Sequence, residues 1–187
     1  GTGQVLIDVA KIASGRLHGG AALIAVVSSA FFSTISGSGP ANVATTGAFT
    51  IPMMKRLKYK PEFAAAVESV ASTGGQIMPP IMGAGAFIMA EMLGKSYLSI
   101  CIAASLPAIL YFLGVGMGVY FEALRTNLPR APKEEIPKAR EVLSWSKIGP
   151  LISFVSVLIY LMTKGNTPQY ACFWAFLTFS VLFIFTT

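Results

Sequence analysis

The sequence predicts an all-α polytopic membrane protein built around a re-entrant helical hairpin and a discontinuous transmembrane helix. Three observations carry that expectation. The apolar residues gather into runs of membrane length; Tyr97 to Phe121 is 25 residues without a charge, where about 20 predominantly apolar residues cross the hydrocarbon core. Two long apolar stretches are interrupted by helix-breaking clusters, Ser36-Gly37-Ser38-Gly39-Pro40 in the first and Gly74-Gly75 with Pro79-Pro80 in the second. The basic residues lie between the apolar runs, as membrane topology requires.

Composition excludes most soluble classes. Hydrophobic residues make up 54% of the chain and charged residues 12%, against about 25% charged in soluble domains. A soluble fold of this size must leave most of its surface in water and could not hide so much apolar area. The net charge of +6 would suggest nucleic acid in a soluble protein. Here basic residues are not interleaved with stacking aromatics, so no nucleic-acid partner is expected and the bilayer is. Cys101 and Cys172 lie inside apolar runs and read as small packing residues. His18 is the one histidine, so neither a metal site nor a cofactor is expected. The chain opens on Gly1 and closes inside an apolar run at Thr187, which reads as a piece of a longer protein.

The elements follow in order. Residues 1–18 read as the cytoplasmic-side amphipathic end of a preceding element. Residues 19–54 are either two spans or a re-entrant hairpin. Each arm reaches only about 25 Å as helix, and the polar tip at Ser36 to Asn42 belongs where backbone is buried in protein or lines a wet cavity, so the hairpin is favoured. Residues 61–93 are long for one span and hold Gly74, Gly75, Pro79 and Pro80, since proline removes an N–H and clashes with the preceding turn. They read as a broken helix, with halves from Pro61 to Thr73 and from about Gly83 to Leu93. Residues 97–122 form a transmembrane helix, 123–147 a cytoplasmic linker with a short surface helix near 137–143, and 148–163 and 170–187 two further spans, the last truncated. Three basic clusters hold 12 of the 14 Lys and Arg residues (Lys11 and Arg16; Lys55 to Lys60; Arg125 to Lys147), and this threading puts all three on the cytoplasmic side.

The two breaks carry the chemistry. Secondary transporters aim half-helix N-termini at anionic groups and use freed carbonyls and half-helix C-termini to coordinate Na⁺. Ser36, Gly37, Ser38, Gly39, Asn42, Thr45 and Thr46 gather at the first break, and Ser72, Thr73, Gly74, Gly75, Gln76 and Pro79 at the second. Na⁺ is a hard cation, and Ser36, Ser38, Asn42, Thr73 and Gly75 are its candidate ligands through hydroxyl, amide and main-chain oxygens. Close helix packing explains Gly114, Gly116 and Gly118, but it calls for neither tandem prolines nor a Ser/Gly/Pro tip. Intramembrane acids are functional candidates by default. Glu91 and Glu122 reach an interface, and Glu68 is expected more as a structural partner for a basic loop residue than as a transport group. An enzyme is not expected. A serine nucleophile at Ser38 needs a base, and His18 lies about 30 Å of helix away.

At these breaks the sequence resembles a known family. Ser36 to Ala44 followed by Ile51-Pro52-Met53-Met54-Lys55-Arg56, together with Ala64 to Glu68 and Ala71 to Pro80, resembles the DctM-like large permease subunit of tripartite ATP-independent periplasmic (TRAP) transporters. The likeness is greatest to the fused-permease branch that works with TAXI-type binding proteins. It covers about residues 1–125 and amounts to roughly one of the family's two inverted repeats. The resemblance implies a bacterial or archaeal cytoplasmic-membrane permease that imports small organic anions on a Na⁺ gradient by an elevator motion. A periplasmic solute-binding protein and a small permease subunit, separate or fused, are its implied partners. It also implies that Ser36, Gly37, Ser38 and Asn42 form the hairpin tip and Thr73 to Pro80 the facing unwound segment. Many dicarboxylate-type relatives carry an aspartate where Asn42 stands. Other readings of the same breaks are a different Na⁺/anion symporter or exchanger, and a non-transporting structural bundle.

Overall fold

The structure is a computed structural model that describes residues 2–128, 132, 136, 137, 142 and 145–186. Eight α-helices are present among these residues, with no strand: α1 (Thr2–Ser14), α2 (Gly20–Ser36), α3 (Gly39–Arg56), α4 (Pro61–Thr73), α5 (Ala84–Leu93), α6 (Tyr97–Arg125), α7 (Trp145–Thr163) and α8 (Pro168–Thr186). A 3₁₀ turn, Gly74–Ile77, follows α4 directly. The expected linker at 123–147 and its surface helix near 137–143 fall mostly outside the described residues.

Local chemistry sets the helix ends. α2 stops at Gly37, whose φ of 60° is a left-handed conformation; its N–H donates to the Ser33 carbonyl. One residue later Ser38 caps α3, its Oγ accepting from the Ala41 N–H at 3.4 Å, with Pro40 in the first turn. Pro61 opens α4, and Glu62 in its first turn complements the helix dipole. Gly94 closes α5 in the left-handed region, and Ser96 caps α6 by accepting from the Ser99 N–H.

α6 is 29 residues, about 43 Å at 1.5 Å per residue. Among the described residues it is the one helix both long and apolar enough to cross a membrane, with a mean hydropathy of 2.1 in its best window. Gly20–Ser36, Ala84–Leu93, Ile148–Thr163 and Pro168–Ile184 are apolar but shorter.

α6 also joins two cores. The first packs α1 to α4 around Ile24, Met54, Val67 and Ala71 and reaches α6 at Val119. Ala21, Ala22, Ala25, Ala64 and Ala71 are completely buried there, and such small side chains let helix backbones approach closely. The second core joins Met82 and Ala90 to the start of α6 at Tyr97 and Ile100, and to Phe154, Leu158 and Ala171 of the α7–α8 pair. Large apolar side chains point outward along α5, α6 and α8, among them Met92, Ile102, Leu106 and Phe176. A surface of that kind suits lipid or further protein and not water.

Candidate substrate and ion site at two helix breaks

α2 and α3 form a hairpin whose tip is Gly37-Ser38, and α4 lies against both arms. The hairpin tip meets the second break through backbone. A Cβ on Gly37 would stand 2.6 Å from the Met82 carbonyl oxygen and 2.8 Å from that of Ile81. Gly75 sits so close to the Ser33 side chain that a Cβ there would overlap Oγ. Two chain segments therefore touch at a distance that only glycine permits. Gly39 completes the contact against the Gln76 amide and the Thr73 main chain, and Gly74 packs on the ring of Tyr111.

Between the breaks the chain is unwound but anchored. The Gly83 N–H donates to the Gln76 carbonyl at 2.8 Å, closing the loop 76–83, and the Pro79-Pro80 peptide is cis. Tyr97 Oη donates to the Pro80 carbonyl and accepts from the Met82 N–H, both at 3.2 Å. Cys101 Sγ lies 3.7 Å from the same Pro80 oxygen. The start of α6 thus holds the far side of the unwound segment against Gly37.

The sequence-derived candidates divide into two sets. Gly37, Gly39, Asn42, Ser72, Gly74, Gly75 and Gln76 come together around the contact of hairpin and break. Asn42 is fully buried; its Nδ2 donates to the Ser29 carbonyl at 3.1 Å and to Ser33 Oγ at 2.8 Å. Ser36 and Ser38 are half-buried at the tip, where Ser36 Oγ accepts from the Ser38 N–H. Pro79 is half-buried in the loop. Thr45 and Thr73 lie on exposed faces, and each hydroxyl donates to the carbonyl one turn back, Ala41 and Ser69 respectively. Thr73 approaches the tip through its main chain only.

Below the tip lies a feature that the sequence pattern assigns to something else. Glu68 is completely buried, and its carboxylate accepts from hydroxyls on three helices. The donors are Ser29 of α2, Thr46 and Thr50 of α3, and Ser72 of its own helix; the Thr50 bond to Oε2 is 2.5 Å and the Ser29 and Ser72 bonds to Oε1 are 3.3 and 3.2 Å. The basic partner expected for Glu68 is absent from this set. A signal for the cluster was available: Ser29 and Ser33, Asn42, Thr46 and Thr50, and Glu68 and Ser72 are spaced by four, so each set lines one helix face. What the spacing leaves open is which faces meet. α3 passes α4 at Gly47, where a Cβ would stand 3.2 Å from Glu68 Cγ, and that close crossing brings the three faces together.

The arrangement offers an uncharged polar surface at the tip, with main-chain groups from two broken helices and a single buried carboxylate beneath it. No cluster of His, Cys, Asp and Glu suited to a metal ion exists among the described residues.

The whole chain, residues 1–187, matches the model of the family described as the tripartite ATP-independent periplasmic transporter, DctM component. It is 32% identical over 177 residues to the C4-dicarboxylate TRAP transporter large permease protein DctM of Pseudomonas aeruginosa, covering 91% of this chain and 39% of that one. The protein of the same name from Vibrio cholerae is 29% identical over 182 residues, 94% of this chain and 39% of that one. The isethionate TRAP transporter permease protein DctMQ of Oleidesulfovibrio alaskensis is 41% identical over 80 residues, 43% of this chain and 13% of that one. The chain spans about two fifths of the length of the DctM relatives it matches. It belongs to the DctM component family of tripartite ATP-independent periplasmic transporters, which are membrane transport proteins and not enzymes.

Proposed function

We propose that this chain carries one substrate and ion site of a Na⁺-coupled, binding-protein-dependent permease that imports small organic anions such as carboxylates. The observation that carries the reading is the backbone contact of the two breaks, Gly37 on Ile81–Met82 and Gly75 on Ser33. That contact gathers helix ends, hydroxyls and main-chain oxygens at one place without a cationic side chain. The N-terminus of α3 beside Ser38 presents N–H groups to an anion, and oxygens of Ser36, Ser38, Asn42 and the Thr73 to Gly75 main chain suit Na⁺ as the co-transported ion. The matched relatives are named for C4-dicarboxylate and isethionate, both small organic anions. The family resemblance implies an aspartate near the tip in many dicarboxylate-type relatives, and this chain has Asn42 there, so the anion class is left broader than dicarboxylates. α2, α3 and α4 share one hydrogen-bonded interior, which supports an elevator motion in which hairpin and broken helix travel as one body. In this reading the permease sits in a bacterial or archaeal cytoplasmic membrane. Its hairpin is re-entrant, and it works with a periplasmic solute-binding protein and a small permease subunit, separate or fused.

The test is uptake of labelled organic acids into proteoliposomes holding the full-length permease, with and without its binding protein and an inward Na⁺ gradient. Uptake that needs both supports the reading. Uptake driven by Na⁺ alone points to a different symporter of the same architecture. No uptake of any acid points to a structural bundle.

A further inference from the structure

We propose that Tyr111 of α6 is a positioning residue for the ion site, holding the last turn of α4 so that the main-chain oxygens of Thr73 to Gly75 are aimed at a bound Na⁺. The proposal rests on the reading of the two breaks as that site. Its first support is a pair of contacts made by one side chain. Tyr111 Oη donates to the Val70 carbonyl at 2.8 Å. The ring of Tyr111 lies so close to Gly74 that a Cβ there would overlap two ring carbons. Phe112 stands edge-on to Tyr111, with ring centroids 5.6 Å apart, and its ring would come within 3.1 Å of the same Cβ. Val70 and Gly74 are about one helical turn apart, so the two contacts grip that turn at both ends.

The gripped turn is where the helix changes. The Gly74 N–H returns four residues to the Val70 carbonyl, whereas the Met78 N–H returns only three, to Gly75. The Val70 carbonyl thus receives both the Gly74 N–H and the Tyr111 hydroxyl, which uses both of its lone pairs. It is an anchor at the break and not an ion ligand. Past it the α-helical ladder gives way to the 3₁₀ turn Gly74–Ile77. Carbonyls at a helix end are no longer all aimed by intrahelical bonds, so their directions depend on what holds the main chain from outside.

The second support is that the same stretch is held from two sides. Glu68 and Ser72 are completely buried against the hairpin, and Val70, between them in sequence, is 44% exposed on the other side of α4. The hairpin touches the stretch at Gly75 through Ser33, and at Gln76 and the Thr73 main chain through Gly39. Tyr111 meets it from α6. Tyr97, one end of the same helix and about 21 Å of helix from Tyr111, holds Pro80 and Met82 beyond the break. α6 therefore braces the break before and after the unwound segment, and Tyr111 is the brace on the ion side. Binding and selectivity at a cation site depend on how well oxygens are held at the distance the ion demands, so loosening this brace acts on affinity before it acts on folding.

The experiment measures ²²Na⁺ binding to the purified full-length permease in nanodiscs, with Li⁺ as competitor and the unfolding temperature in Na⁺-free buffer as a parallel reading. Tyr111→Phe removes the hydroxyl and keeps the ring. It is expected to weaken Na⁺ binding about three- to tenfold, the size of one hydrogen bond, and to reduce the preference for Na⁺ over Li⁺. Gly74→Ala reaches the same contact from the other side, keeping the hydroxyl and displacing the ring, and is expected to weaken Na⁺ binding in the same direction. Because both variants loosen one contact, the double variant is expected to lose less than the product of the two single losses. Unchanged Na⁺ binding in Tyr111→Phe, while the parent binds Na⁺, overturns the role of Tyr111 alone. Equal weakening of Na⁺ and Li⁺ together with a lower unfolding temperature marks a merely structural residue and overturns it too, as do fully independent effects in the double variant. A parent that binds no ²²Na⁺ overturns the ion reading of the breaks and this proposal with it.

Discussion

The hairpin body and the α7–α8 pair are both helical and both apolar in composition, yet they are held together differently. Inside α2, α3 and α4 the buried residues include Ser28, Ser29, Ser33, Asn42, Thr46, Thr50, Glu68 and Ser72. Their side chains bond across helices as well as within them. Between α7 and α8 the contact is Phe154, Leu158, Met162, Ala171 and Ala175, and the rings of Phe154 and Phe179 meet edge to face. The hydroxyls of Thr163, Thr178 and Ser180 each return to a carbonyl of their own helix. Polar burial costs free energy unless every group is paired, so it is concentrated where helices break and omitted where they only pack. The pair is held by apolar packing, and the hairpin body by hydrogen bonds between buried polar side chains.

That contrast can be broken most forcefully at Leu158, which is 1% exposed. Leu158→Ala is expected to cost about 2–4 kcal/mol of stability through a cavity, read as a lower unfolding temperature of the permease in nanodiscs, with Na⁺ half-saturation unchanged. A shift in ion affinity would show that the pair belongs to the functional unit. Gly75→Val drives a side chain into Ser33 and is expected to cost about 1–3 kcal/mol and most of the uptake rate. The smaller Gly75→Ala combined with Ser33→Gly is expected to recover uptake, which tests whether the contact and not the loop itself is at fault. Tyr97→Phe removes one donor and one acceptor from the unwound segment, an effect of about 1–2 kcal/mol, and is expected to increase proteolysis or hydrogen exchange at 78–83. The smallest effect is expected at Thr73→Ala. Its hydroxyl faces outward onto Ser69, so Na⁺ half-saturation should move by less than about twofold; a larger change would return the hydroxyl to the list of ligands.

Much of the helical class was legible in the sequence. Runs such as Tyr97 to Phe121 have no polar partner for the backbone other than the helix itself, and Gly37, Ser38, Pro61, Gly94 and Ser96 act on neighbouring dihedrals and N–H groups, so they mark helix ends locally. Thr73 shows where that reading stops. The sequence places a hydroxyl at the break, but a helix of 3.6 residues per turn turns it away and leaves its main chain facing inward. Glu68 shows the same limit from the other side. A carboxylate in an apolar stretch invites a basic partner, and the nearest candidates are the loop residues around Lys58. In the fold it meets hydroxyls that stand 39, 22 and 18 residues away in sequence.

By itself, then, the sequence determined that this protein is helical, that it is built for lipid, and that its helices end at glycine, serine and proline, because each of those properties acts within a few residues. Tertiary structure alone decided that Gly37 rests on the backbone at Ile81–Met82, that Gly75 admits Ser33, and that Glu68 draws its hydrogen bonds from two other helices. Those facts depend on which faces meet and how closely, and helix crossings such as the one at Gly47 are set by packing between segments distant in the chain.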